Sequence, residues 1–182
     1  MTKLTGKNIA LIGIFTAILC VVSPLTIPLG VAPLSLTTMA LFLVSILLGR
    51  RLGCISVLAY IILGGVGLPV FSGFTGGLAA LTSITGGYII GYIFFVFLID
   101  LIVEKGGGKN YFYPVAMAIS TIILYVIAVV YYVGVYGVSV KVAIVSLVVP
   151  FILTDAIKII VCSIIAVSLK RYGIINKLKN NL

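Results

Sequence analysis

Asp155 and Lys158 stand three residues apart inside an apolar run from Val145 to Leu169. The run is long enough to cross a bilayer as a helix, which needs about 20 mostly apolar residues. The chain holds only three acidic residues, and one of them is here. A charge in hydrocarbon is costly, so intramembrane ionisable residues face a bundle interior or a wet cavity and mark functional sites. A spacing of three brings both side chains to nearly the same helix face. A carboxylate accepts hydrogen bonds and an ammonium donates them. Together they suit a ligand head with N–H donors beside a carbonyl, such as a ureido or amide. Thr154 adds a hydroxyl next to the pair, and Pro150 can open the backbone just before it. Read instead as a self-neutralising ion pair, the two would matter to stability alone.

The rest of the chain explains why these charges stand out. It has 182 residues, 63% hydrophobic and 8% charged, with mean hydropathy +1.40. Soluble domains carry roughly 25% charged residues, so this is an integral membrane protein. Its apolar runs are continuous, whereas barrel strands alternate over about 10 residues; one compact all-α domain over residues 1–182 is expected. The net charge of +9 would suit nucleic acid if it formed a patch, but the basic residues fall in short clusters at helix ends. No nucleic-acid partner is expected. Histidine is absent, which excludes metal sites built on imidazole; no metal and no cofactor are expected. Cys20, Cys54 and Cys162 are isolated in apolar segments and read as small packing residues.

Six segments approach the spanning length of about 17–25 residues: about 8–28, 35–50, 52–67, 85–103, 112–133 and 145–169. Lys3 and Lys7 before the first resemble a signal peptide, but no small-residue cleavage site follows, so it reads as an uncleaved span. Arg50 and Arg51, between Gly49 and Gly53, mark a hairpin at a membrane surface. Under six spans, Lys3, Lys7, Arg50, Arg51, Lys105, Lys109, Lys170, Arg171, Lys177 and Lys179 share one side, and the other receives Lys141 alone. The positive-inside rule then makes both termini cytoplasmic. The connections near 29–34, 68–84 and 134–144 face outward. With the sixth span starting near Val145, Asp155 lies about 15 Å down at 1.5 Å per residue.

The connection between the third and fourth spans is rich in glycine yet apolar, with Phe71, Phe74, Leu78 and Leu81. Non-helical backbone at membrane depth is tolerated where protein or a wet cavity covers it. Glycine also lets backbone groups approach a ligand closely. The segment reads as a lid over an outward-facing site, or as glycine packing between helices. Tyr88 and Tyr92 follow it on one helical face, and Tyr125 lies deep in the fifth span; all three can reach a cavity. Gly13 and Ala17 form a small-xxx-small pair in the first span, suited to packing within the bundle or to docking a separate membrane subunit. Asp100 and Glu104 read as a solvated or interfacial helix end. They make no catalytic set, so the chain is not an enzyme. It lacks a phosphate-binding GxxxxGK[ST] loop, and any ATP-driven transport needs a separate motor.

Two stretches, Gly67-Leu68-Pro69-Val70-Phe71-Ser72-Gly73-Phe74-Thr75-Gly76-Gly77 and Thr85-Gly86-Gly87-Tyr88-Ile89-Ile90-Gly91-Tyr92, resemble the signature of the BioY family, biotin-specific S-components of energy-coupling factor (ECF) transporters. The resemblance extends to the Arg50-Arg51 region, the six-span length and the Asp155/Lys158 pair. It implies a membrane-embedded subunit for high-affinity biotin uptake across a bacterial-type plasma membrane, with a T-component and two cytoplasmic ATPase subunits as partners. Gly13 and Ala17 match the place where S-components dock. Asp155 would accept a ureido N–H and Lys158 would donate to a ligand oxygen. Phe71, Phe74 and Tyr88 would pack the ring and valeryl chain, beside Gly73, Gly76, Gly77 and Ser35. One departure is visible: similar sequences often carry Pro-x-Thr-Leu-Gln-Thr before the second span, and here Pro33-Leu34-Ser35-Leu36-Thr37-Thr38 puts Thr37 where Gln is expected. A stand-alone or proton-coupled secondary transporter of a small polar solute is the alternative, and the lack of a visible internal repeat weighs against it.

Overall fold

In hydrocarbon every backbone N–H and C=O must find an internal partner, and long helices provide it. A computed structural model, describing residues 5–27 and 34–179, is helical accordingly. Its helices are α1 (Gly6–Val22), α2 (Thr37–Gly65), α3 (Leu78–Leu81), α4 (Gly86–Lys105), α5 (Phe112–Tyr136), α6 (Val140–Leu147), α7 (Val149–Arg171) and α8 (Ile174–Lys179). Two short strands, β1 (Thr26–Ile27) and β2 (Leu34–Ser35), pair antiparallel at the mouth of the first connection. Lys3 and the proline-rich stretch 28–33 lie outside the described residues. Four helices, α2, α4, α5 and α7, are long and apolar enough to cross a membrane, and α1 is a shorter apolar helix.

The second and third expected spans form one element, α2, interrupted at Gly49 (φ 71°, ψ 179°). That conformation is essentially restricted to glycine. A Cβ on Gly53 would lie 3.5 Å from Val44 Cγ1, whereas nine residues of straight helix span about 13 Å. The chain therefore doubles back at Gly49, and the expected Gly-flanked hairpin is present. Both arms pack on α4: Ser45 Oγ donates to the Val96 carbonyl at 2.8 Å, and Cys54 Sγ to that of Ile93 at 3.7 Å.

Alpha-helical packing uses the second glycine motif. A Cβ on Gly91 would meet Leu124 Cδ1 at 2.5 Å, and one on Gly87 would meet Tyr131 Cβ at 2.7 Å. These glycines let α4 lie against α5. The apolar windows of α2 and α4 are 61% and 56% buried, against 28% and 22% for α5 and α7, so the core sits around α2 and α4, with Phe42 and Phe95 in ring contact at 4.9 Å.

One end of the bundle is basic. The Arg50 N–H donates to Asp100 Oδ2 at 2.8 Å, and the Arg50 side chain pairs with Glu104 at 3.0 Å. Lys170 Nζ donates to the Gly108 carbonyl and to Asn110 Oδ1. Asp100 corrects the expectation of a solvated helix end. It is buried while Glu104 is exposed, because it caps the returning arm of α2. Three other features escape sequence periodicity: the short α3 inside the glycine-rich connection, α8, whose Ile175 joins the core, and the break at Val148 that divides α6 from α7.

Candidate ligand site

At the end of the bundle opposite the arginines, the break before Pro150 organises the site. Proline has no N–H to continue the helical ladder. The Phe151 N–H turns to the Val148 carbonyl at 3.0 Å, and the Leu147 carbonyl accepts from the Tyr88 hydroxyl of α4 instead. Tyr88 also meets Phe151 edge-on at 6.4 Å. The break moves the start of the long helix to Val149. Asp155 then lies about 9 Å along α7 at 1.5 Å per residue.

Asp155 and Lys158 are buried side by side, 6% and 9% exposed, and form an ion pair at 2.9 Å. The Lys158 ammonium spends its donors on Asp155 Oδ1, the Ser35 carbonyl at 2.7 Å and Thr38 Oγ1 at 3.1 Å. Asp155 Oδ2 accepts from the Tyr125 hydroxyl at 2.7 Å. Ser35 is held by its own turn: its Oγ receives the Thr37 N–H at 3.0 Å, contacts Thr37 Oγ1, and reaches the Ser23 carbonyl at 3.3 Å. Thus α7 supplies the charges, and β2 with the first turn of α2 supplies oxygen acceptors. Two buried charges survive here because each polar atom has a partner.

Asp155, Lys158, Ser35, Thr37 and Thr38 line a small cavity together with Ser72, Thr85, Tyr88, Tyr92 and Phe151. It encloses about 50 Å³, well below the roughly 300 Å³ of the smallest ordinary ligand pockets. A ring-bearing ligand must therefore displace side chains or part of the glycine-rich connection. A wider cleft of about 570 Å³ lies next to it and shares Ser72 and Thr85 with the cavity lining. Gly76 lines that cleft.

The glycine-rich connection is anchored at its base. Phe71 is buried beneath Gly64, where a Cβ would approach its ring to 2.2 Å, and meets Tyr60 edge-on at 5.4 Å. Tyr60 also donates to the Val70 carbonyl. The tip, Ser72 to Phe74, overhangs, with Gly73 N–H donating to the Pro24 carbonyl at 3.2 Å.

Of the sequence candidates, Asp155, Lys158, Tyr88 and Ser35 come together. Gly73 and Gly77 belong to the overhanging connection, with positive φ, and are not among the cavity-lining residues. Phe74 is 66% exposed at the tip, and Phe71 turns into the core, so neither packs the cavity wall. Gly13 and Ala17 lie exposed on α1, away from the cavity, flanked by exposed Ile14 and Ile18. Sequence reasoning passed over Thr38, Thr85 and Phe151. Thr38 and Thr85 stand inside the quoted stretches with only a hydroxyl as signal, and Phe151 is a ring four residues before Asp155. Among the described residues, no cluster of three or more metal-ligating side chains occurs.

A crystal structure of the S-component for biotin from an ECF-type ABC transporter is similar to this fold, with TM-score 0.81 and 27% identity, each chain covered to 91%. The biotin transporter BioY of Thermotoga maritima is 37% identical over 87% of this chain and 93% of its own length. A probable biotin transporter BioY of Pyrococcus horikoshii is 34% identical over 88% and 94%. The BioY family model matches residues 1–174, which takes in the glycine motifs, the α2 hairpin and the Asp155/Lys158 pair alike, and on that match the chain belongs to the BioY family.

Proposed function

We propose that this chain is the membrane-embedded substrate-binding subunit for biotin uptake. It is a multi-pass plasma-membrane protein and a transport component, not an enzyme. The observation that carries the reading is the buried Asp155–Lys158–Ser35–Thr38 cluster at the cavity. A ureido group has two N–H donors flanking one carbonyl, and the cluster offers a carboxylate acceptor beside an ammonium donor. Asp155 accepts a ureido N–H. Lys158 donates to the ureido oxygen by releasing its longest contact, the 3.1 Å bond to Thr38 Oγ1. Ser35 and Tyr88 complete the head-group site. The glycines Gly73, Gly76 and Gly77 and Phe74 act from the overhanging connection, which closes over the valeryl chain.

In this reading the chain crosses the membrane six times: α1, the two arms of α2, α4, α5 and α7, with both termini cytoplasmic. The gathering of Arg50, Lys105 and Lys170 at one end supports that orientation. Its partners are a membrane T-component and two cytoplasmic ATPase subunits, docked on α1 at Gly13 and Ala17. A Cβ at Gly13 would meet nothing within 4 Å, so that face is open to a neighbour.

The test is equilibrium binding of labelled biotin to the purified chain beside Asp155→Asn and Lys158→Met. The chain has no Trp, so a radioligand or calorimetric readout is preferred to intrinsic fluorescence. Binding by the wild type and loss in both folded variants is expected. A folded wild type that does not bind biotin sinks the assignment.

A further inference from the structure

Asp155 borders two different spaces. On one side is the polar cavity; on the other is an apolar groove of about 570 Å³ between α5, α6 and α7. Exposed Ile122, Val126, Val130 and Ile152 form much of the groove wall. At membrane depth such a groove is a hydrocarbon environment, where an unpartnered carboxylate oxygen is costly. Lys158 covers Oδ1 only. Oδ2 is covered from the groove side by the Tyr125 hydroxyl at 2.7 Å, and the Tyr125 side chain itself lines the groove.

We infer that Tyr125 is the positioning residue for Asp155: it fixes the carboxylate for the ligand and forms the wall between the ligand cavity and the lipid-facing groove. A carboxylate has about four acceptor positions. Tyr125 and Lys158 take one on each oxygen and thereby set the plane of the group, which leaves the remaining lone pairs directed by that plane. Tyr125 does not line the cavity, so it acts through Asp155 and not on the ligand. Without its hydroxyl, Asp155 can rotate away from the ligand N–H, and its Oδ2 faces hydrocarbon.

This inference rests on the biotin reading and deepens it. The experiment compares the full-length wild type with Tyr125→Phe, which keeps the ring and its packing. Affinities are measured for biotin and for a biotin analogue methylated on a ureido nitrogen, which cannot donate that N–H. A thermal unfolding midpoint without ligand monitors the fold. The expected result is that Tyr125→Phe weakens biotin binding by about 10- to 100-fold, the range for a hydrogen bond to a charged group. Affinity for the methylated analogue stays as in wild type, so the discrimination between the two ligands narrows. Unchanged biotin affinity overturns the role of Tyr125 and leaves the biotin reading standing. Equal loss for both ligands also overturns it, because a merely structural residue would act that way. A wild type that binds neither ligand sinks both.

Discussion

Three acidic residues carry three different tasks, and burial separates them. Asp155 is paired with Lys158 and Tyr125 inside the bundle. Asp100 is buried at the basic end, where it receives the Arg50 N–H. Glu104 pairs with Arg50 in the open, the two side chains 58% and 40% exposed. An exposed pair contributes about 0–1 kcal/mol, whereas a hydrogen bond to a buried charge is worth about 1.5–3 kcal/mol. Asp100→Ala is therefore expected to lower stability by about 2 kcal/mol, and Glu104→Gln by less than about 1 kcal/mol. Unfolding of the purified variants in a titrated detergent mixture checks the difference, and equal effects would refute it. The sequence read Asp100 and Glu104 alike, as a solvated or interfacial helix end. It had no means to show that one of them turns under a neighbouring hairpin.

At the scale of elements, glycine does two jobs that its count in the sequence could not separate. Gly49 permits the reversal of α2, with φ 71° and a Cβ that would lie 3.4 Å from Asp100 Oδ2. Gly49→Ala places a side chain in a backbone region that costs about 1–3 kcal/mol. Gly91 permits the α4–α5 approach, and Gly91→Leu would overpack that interface, at a cost of about 1–3 kcal/mol. Both variants are expected to unfold at lower temperature, and only Gly49→Ala should loosen the basic end. Protease or cysteine-labelling access near Arg51 distinguishes them. The glycines of the connection between α2 and α4 were legible as a break in helix periodicity. The anchoring of that connection by Phe71 was not, since an aromatic residue in a glycine-rich loop looks the same in sequence whether it faces a ligand or the core.

The whole molecule places Arg50 and Lys170 at one end and the polar cavity, with Lys158 in it, near the other. If both termini are cytoplasmic, single cysteines at Arg50 and Lys141, in a chain with Cys20, Cys54 and Cys162 replaced by Ser, label from opposite sides of intact cells. A membrane-impermeant maleimide should reach position 141 and not position 50; the reverse pattern would invert the topology. Composition alone determined a helical membrane protein, because a chain of mean hydropathy +1.40 can satisfy its backbone in lipid in few ways. Local pattern determined the long apolar helices, the Gly-flanked reversal, and the Asp155/Lys158 pair, since periodicity and charge placement are properties of neighbours along the chain. Tertiary structure decided which oxygens surround Lys158, that the Tyr125 hydroxyl donates to Asp155, and that Phe74 is exposed outside the cavity lining. Ser35 and Lys158 are separated by 123 positions and Tyr125 and Asp155 by 30, and such contacts follow from how helices pack, which no local pattern in one chain encodes.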